Sequence, residues 1–237
     1  MNIGVIPARA GSKRFPGKNR AKLGGLELWK RACILSIRKM DWTIINSDDE
    51  KILDNLDNLD KCLGQGYVRP EHLRDGQSYR IDDVLIEMVE RLSFKSKDII
   101  YLFQPTSPFI SDLTIIECMK QFCIYNDLDS VQSVCRIPNN LHAYSQRLFV
   151  GDMNDKYLRV EFVFPKERNN YYNSQLKPPF YAFAGFVGCR VESLLKHKNI
   201  WGEKSIGIIV NPIEMIDIDA EEDLRHAEYL TASRIAV

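Results

Sequence analysis

At 237 residues and 27.4 kDa the chain is long enough to bury a sizeable core, and it suits one large α/β domain better than two small ones. Its 32 Lys+Arg balance its 32 Asp+Glu, which excludes the global basic field of a typical nucleic-acid binder, and 45% hydrophobic with 27% charged residues is ordinary for a soluble globular protein. No run of about 18 apolar residues offers a membrane span, and the sequence opens directly on "MNIGVIPA" without a leader pattern, so a cytoplasmic protein is expected.

Taken in order, Asn2 to Ile6 reads as a short strand and Leu26 to Met40 as a returning helix. Trp42 to Ile45 is a second strand, closed by "NSDD", which is expected to cap a helix from about Glu50. Ile81, Val84, Leu85, Met88, Val89 and Leu92 fall on one helical face. "DIIYLF" (98–103) is a continuous apolar run bounded by "QPTSP", the pattern of a strand buried on both sides of a parallel sheet. Leu113, Ile116, Met119 and Cys123 are expected to be the core stripe of the next helix, and "SVQSVC" (130–135) the next strand. Strand, loop and helix in repeated order predict an α/β fold with an open, mostly parallel twisted sheet and helices on both faces.

From about Arg136 to Pro179 the pattern changes. "RLFVGDMNDKYLRVEFVF" is expected to be a hairpin with a Gly-Asp turn, followed by a polar stretch, so the single domain 1–237 would carry a small antiparallel insertion at 136–179. Strand-like composition returns at Tyr181 to Val187, Ile206 to Val210 and Glu214 to Ile218, and "DAEEDLRHAEYL" reads as a closing amphipathic helix. The six cysteines (33, 62, 118, 123, 135, 189) show no C-x-x-C spacing and are expected to be reduced and buried. The four histidines (72, 142, 197, 226) are dispersed, and none is assigned a catalytic role.

Three stretches carry chemistry. "IPARAGSKRFPGKN" (6–19) packs Arg9, Lys13, Arg14 and Lys18 between glycines and prolines directly after the first strand, where an open parallel sheet binds its ligands. Cations beside backbone N–H groups freed by glycine suit phosphate; a merely solvated basic turn is the competing reading. The spacing from Gly11 to Gly17-Lys18 is one residue too long for a P-loop, and no G-x-G-x-x-G is present. "QPTSP" places Gln104, Thr106 and Ser107 on a rigid strand-end loop suited to hydrogen bonding a nucleotide. In "IDIDAEEDL", Asp217 and Asp219 stand two apart on a strand-like stretch, so their carboxylates would converge as a magnesium site, with helix capping as the alternative.

Together "IPARAGSKRFPGKN", "NSDDEKI", "RPEHL", "LFQPTSP" and "IDIDAEEDLRHAE" occur in the order and approximate spacing of the acylneuraminate cytidylyltransferases, the CMP-sialic acid synthetases and their relatives acting on other nonulosonic acids, and the sequence resembles that family over nearly its whole length. The resemblance implies a nucleotide-diphospho-sugar transferase-like fold. It also implies transfer of CMP from CTP to the anomeric hydroxyl of a nine-carbon 2-keto sugar acid, with release of pyrophosphate and dependence on Mg²⁺. Residue by residue, it implies Arg9, Ser12, Lys13, Lys18 and Asn19 around the triphosphate and cytidine. Arg69 and Ser78 would complete the nucleotide contacts, Gln104 and Thr106 would reach the sugar, and Asp217 and Asp219 would hold Mg²⁺. Arg9, Lys18 and the two aspartates would be catalytic. A homodimer is implied, with 136–179 reaching toward the partner's site and Lys166, Arg168 or Lys177 meeting the sugar carboxylate.

Two places depart from the family pattern. "DGQS" (75–78) stands where many relatives carry Asp-Thr, and in "FYAFAGFVG" Ala184 replaces a polar residue, often Asn, before Gly185. The sugar is therefore expected to differ from N-acetylneuraminate. A CMP-Kdo synthetase-like enzyme and a catalytically silent nucleotide-binding relative are the alternatives. A glycosyltransferase would use a D-x-D near the middle of the sequence; "DLD" (127–129) has that form but follows a helix, at the wrong strand end.

Overall fold

The computed structural model describes residues 1–56, 64–74, 78–152 and 159–233. Two compact units are present, 1–134 with 183–237, and 135–182.

The first unit is built on strands β1 (Asn2–Ala8), β4 (Trp42–Ser47), β5 (Gly64–Val68), β6 (Ile99–Phe103), β7 (Ser130–Arg136), β10 (Tyr181–Arg190) and β11 (Ser205–Ile209), in the spatial order β11-β7-β10-β6-β1-β4-β5. β1 lies parallel to β4 and to β6, β4 is parallel to β5, and β11 is parallel to β7, whereas β10 runs antiparallel to β6. The mostly parallel α/β sheet expected from the sequence is thus present, with one antiparallel strand inside it. After β5 the backbone returns past β1 to place β6 on its other side, so the strand order reverses between β1 and β6, the position where open α/β sheets bind ligands.

Alternation along the central strands loads both faces with apolar side chains. Ile6 and Ala8 of β1, with Tyr101 and Phe103 of β6, pack on the side of α1 (Leu28–Ile37), α2 (Glu50–Leu53) and α4 (Asp112–Ile124). Ile3 and Val5, with Ile100 and Leu102, pack on the side of α3 (Ile81–Leu92) and α6 (Val191–His197). β1 and β6 are consequently buried on both faces over most of their length, and they anchor the loops at their carboxyl ends. α7 (Glu221–Ala232) closes a third, smaller cluster, in which Leu224 and Ala227 meet Leu23, Leu28 and Ile218.

Several local expectations change. The region read as one helix from Leu26 opens instead with a small hairpin, β2 (Lys22–Leu23) and β3 (Leu26–Glu27), on a Gly24-Gly25 turn. On α4 the buried residues are Thr114, Ile115, Cys118 and Phe122, while Leu113 and Cys123 are exposed. Two interleaved apolar stripes run along that helix, and periodicity alone cannot say which one meets the sheet. Cys33, Cys118, Cys135 and Cys189 are free and buried as expected; Cys62 lies outside the described residues. Residues 214–218 form no strand. A 3₁₀ turn, Pro212–Met215, is followed by unpaired extended backbone, because Ile218 N–H donates to the Thr106 carbonyl (2.8 Å) and not to a ladder.

In the second unit, β8 (Arg147–Val150) and β9 (Arg159–Phe162) pair antiparallel, followed by α5 (Pro165–Asn170). Pairing ends at Val150 and Arg159, so Gly151-Asp152 opens a longer connection and is not itself a two-residue turn. His142 is buried against Phe180 (4.4 Å between ring centres), with Nδ1 accepting from Tyr144 N–H and Nε2 bonded to the Pro178 carbonyl. It is a core residue of this unit.

Candidate active site

Arg9, Arg69 and Gln104 are each the first residue after a parallel strand, β1, β5 and β6 respectively, and register carries all three to the same edge of the sheet. With Lys18, Asn19, Thr106, Asp217 and Asp219 they line one cavity of about 280 Å³. Eight residues expected at the site from widely separated parts of the sequence therefore converge. Ser12 and Lys13 are on the same loop and do not line the cavity; Ser78 is exposed and does not line it either.

The cationic loop is shaped locally. Gly17 sits at φ +72°, a left-handed conformation that a side chain would strain, and it launches the 3₁₀ turn Lys18–Arg20 that turns Lys18 inward. Asn19 is buried and donates through Nδ2 to the Arg9 carbonyl (2.9 Å), tying the two ends of the loop together. Beneath it lies "NSDD". Ser47 Oγ donates to the Ala8 carbonyl (2.6 Å), Asp48 accepts from Ala10 N–H (2.9 Å), and Asp49 accepts from Arg20 Nε (2.8 Å). Asp49 also caps α2 through Lys51 N–H, as the sequence suggests.

Charge is arranged unevenly. Asp219 accepts from Lys18 Nζ at one oxygen and from Arg14 Nη2 at the other, both at 2.8 Å, and the Lys18 bond holds its carboxyl below the ordinary range. Asp217 behaves oppositely. It opens to solvent at the cavity, but the protein packed around it raises its carboxyl; Thr106 and Lys18 oppose that shift, while the neighbouring Asp219 charge adds to it. The pair is not a helix cap, since Asp223 reaches back to accept from the N–H groups of Asp219 and Ala220. Burial pushes the Arg69 guanidinium down, with Arg9 contributing in the same direction and Asp48 against it. Two carboxylates that repel one another beside a row of cations suit a divalent ion held jointly with phosphate oxygens. Among the described residues no larger group of His, Cys, Asp and Glu offers a metal centre.

Tyr79 and Arg80, just before α3, also line the cavity and were not singled out from the sequence. An Arg ending a loop after "RP" was the available signal, hidden because residues 75–80 show no periodic pattern. Gln104 and Pro105 are shared with a larger cavity of about 860 Å³, walled by α1 and the 104–113 segment and reaching Gly185. Gly185 is at φ +89°, and a Cβ there would stand 2.3 Å from Ser107 Oγ, so only glycine fits. Ala184 is buried. Lys166 and Arg168 are on α5 of the second unit, with the Arg168 guanidinium 5.4 Å from the Phe162 ring centre, and Lys177 donates to Ser145 Oγ.

Loops from the carboxyl ends of parallel strands, cations around a cavity and an adjoining carboxylate pair define an α/β enzyme that handles a phosphorylated ligand. Residues 3–236 match the cytidylyltransferase family, and the chain belongs to it. It is a nucleotidyltransferase. Over 237 residues it is 27% identical to a CMP-N,N'-diacetyllegionaminic acid synthase from Legionella pneumophila, covering 96% of this chain and 95% of that protein. It is 26% identical to a 3-deoxy-manno-octulosonate cytidylyltransferase from Phocaeicola vulgatus, with 98% of each covered. Its fold is that of a CMP:2-keto-3-deoxy-manno-octonic acid synthetase solved with CTP, at a TM-score of 0.67 and 15% identity, covering 98% of this chain and 99% of that one. No helix among the described residues is long and apolar enough to cross a membrane.

Proposed function

We propose that the protein transfers CMP from CTP to the anomeric hydroxyl of a nonulosonic acid. The hydroxyl oxygen bonds to the α-phosphorus and gives up its proton to solvent, the bond from the α-phosphorus to the β-bridging oxygen breaks, and pyrophosphate leaves. The observation that carries the reading is the convergence of Arg9, Lys18 and Arg69 with Asp217 and Asp219 on one cavity. In this reading Arg9, Lys18 and Arg69 neutralise the triphosphate, which in-line phosphoryl displacement rewards most. Lys18 exchanges its bond to Asp219 for one to phosphate. Thr106 orients Asp217, and Gln104, common to both cavities, marks the border between nucleotide and sugar. Asp217 and Asp219 would hold Mg²⁺, which when bound supplies positive charge against the developing negative charge on the phosphates.

The name of the Legionella relative favours a sugar acid of the legionaminic type, and buried, apolar Ala184 agrees with a sugar other than N-acetylneuraminate. A Kdo-type acid is the second reading, favoured by the Phocaeicola relative. A cytoplasmic homodimer completes the proposal. The β8–β9 hairpin leaves Leu148, Phe149 and Val160 exposed, and a two-stranded ribbon is marginal alone, which supports 136–179 as the dimer contact. Lys166, Arg168 and Lys177 are then the candidates for the sugar carboxylate.

Pyrophosphate release tests the proposal, with CTP, UTP, ATP and GTP offered against N-acetylneuraminic, legionaminic, pseudaminic and Kdo-type acids, with and without Mg²⁺. Release only with CTP, Mg²⁺ and a nonulosonic acid is expected. Release with the Kdo-type acid alone moves the assignment to the second reading, and silence across the panel overturns both.

A further inference from the structure

We propose that Asn46 is a positioning residue of the nucleotide site, acting through Arg69. The inference rests on the cytidylyltransferase reading above and extends it to a residue outside the cavity wall.

Asn46 is the penultimate residue of β4 and is completely buried. Its Oδ1 accepts from Arg69 Nε at 2.6 Å, and its Nδ2 lies 3.2 Å from Met88 Sδ on α3. The amide can face only one way, because a guanidinium donates and never accepts, whereas a thioether is a weak acceptor. Arg69 is itself buried and lines the cavity. Its backbone is fixed as well, by N–H donation to the Ser47 carbonyl (2.8 Å). Asn46 thus grips the guanidinium through Nε and leaves the Nη edge for the ligand.

The choice of an amide has a physical consequence. A carboxylate at this position would hold the same hydrogen bond more strongly and would also cancel the charge of Arg69. Among the described residues Arg69 forms no ion pair, and the acidic group that acts on it is Asp48, without a hydrogen bond between them. A neutral acceptor fixes the guanidinium without adding a bonded negative charge that would compete with a phosphate. An aliphatic residue would leave Nε–H buried without a partner, which is costly.

The test is a double-mutant cycle on CTP affinity by calorimetry and on KM and kcat, with unfolding midpoints measured alongside. Asn46→Ala is expected to raise KM for CTP about tenfold, the equivalent of one lost hydrogen bond to a charged group, with kcat within about threefold. In an Arg69→Ala background the same change should add less than about twofold, since the group it positions is gone. Asn46→Asp is expected to keep the unfolding midpoint and still weaken CTP, and it keeps the test decisive should Asn46→Ala fail to fold. Equal effects of Asn46→Ala with and without Arg69, or unchanged CTP affinity in Asn46→Asp, overturn the inference while leaving the enzyme assignment intact. Wild-type protein that binds no CTP overturns the assignment and this inference with it.

Discussion

Two D-x-D pairs, at 127–129 and at 217–219, share the same spacing and have opposite fates. Asp129 sits in a closed cage: Ser193 Oγ donates to one oxygen, and the N–H groups of Glu203 and Lys204 donate to the other at 2.8 Å each. Burial pushes its carboxyl up, but those three donors and His197 outweigh it and hold it at about 2. Asp127 pairs with Lys204 at the surface. At 217–219 the partners are side-chain cations, Lys18 and Arg14, which a phosphate could claim, and Asp217 is pushed upward. Backbone donors cannot leave, so they make an aspartate structural; lysine and arginine can change partners, so they leave an aspartate available for chemistry.

The largest effect should come from Asp217→Asn. Loss of one of two carboxylates is expected to reduce kcat about 10³-fold, or about 4 kcal/mol of transition-state stabilisation, in steady-state assays with Mg²⁺. Retention of activity within tenfold would place the essential carboxylate elsewhere. Asp129→Ala should do the reverse, leaving kcat of the folded enzyme within twofold and lowering unfolding free energy by roughly 1–3 kcal/mol, because Ser193 and the exposed N–H groups of Glu203 and Lys204 lose a charged acceptor that water replaces only in part. This penalty also has a pH signature. With its folded pKa depressed to about 2, Asp129 contributes stability that is complete above the ordinary aspartate pKa near 4 and disappears as pH falls through about 2. Denaturant titrations of wild type and variant should therefore converge across that window.

The smallest effect is on the stability of Asp217→Asn. A carboxyl with a raised folded pKa stabilises least when ionised, so removing its charge should raise the thermal midpoint at pH 7 by about 1–3 °C, an activity–stability trade-off. Below pH 4, where the acid is protonated in both states, the gain should vanish. A gain that persists at pH 3 would assign it to packing and not to charge.

Much of this was legible in the residues. Continuous apolar runs marked β1 and β6, and the cationic loop and "QPTSP" stood at their ends, so a cavity lined by these loops was expected from the rule that parallel sheets bind at strand carboxyl ends. The Asp pair was legible as a pair, but its route was not. Converging carboxylates were expected from strand alternation, whereas an unpaired segment tied to the Thr106 carbonyl presents them. "NSDD" read as a helix cap, and only its last residue is one. Asn46, Ser47 and Asp48 find their partners at Arg69, Ala8 and Ala10, contacts that exist only once β4 lies between β1 and β5.

The sequence by itself determined the α/β class, the cationic character of the first loop and the family, because strand hydrophobicity, glycine and proline placement and charge clusters are local properties. Tertiary structure alone decided which α4 stripe meets the sheet, which D-x-D is structural and what holds Arg69. Each depends on the partner that packing brings within hydrogen-bond or van der Waals range, and that partner is far away in the sequence.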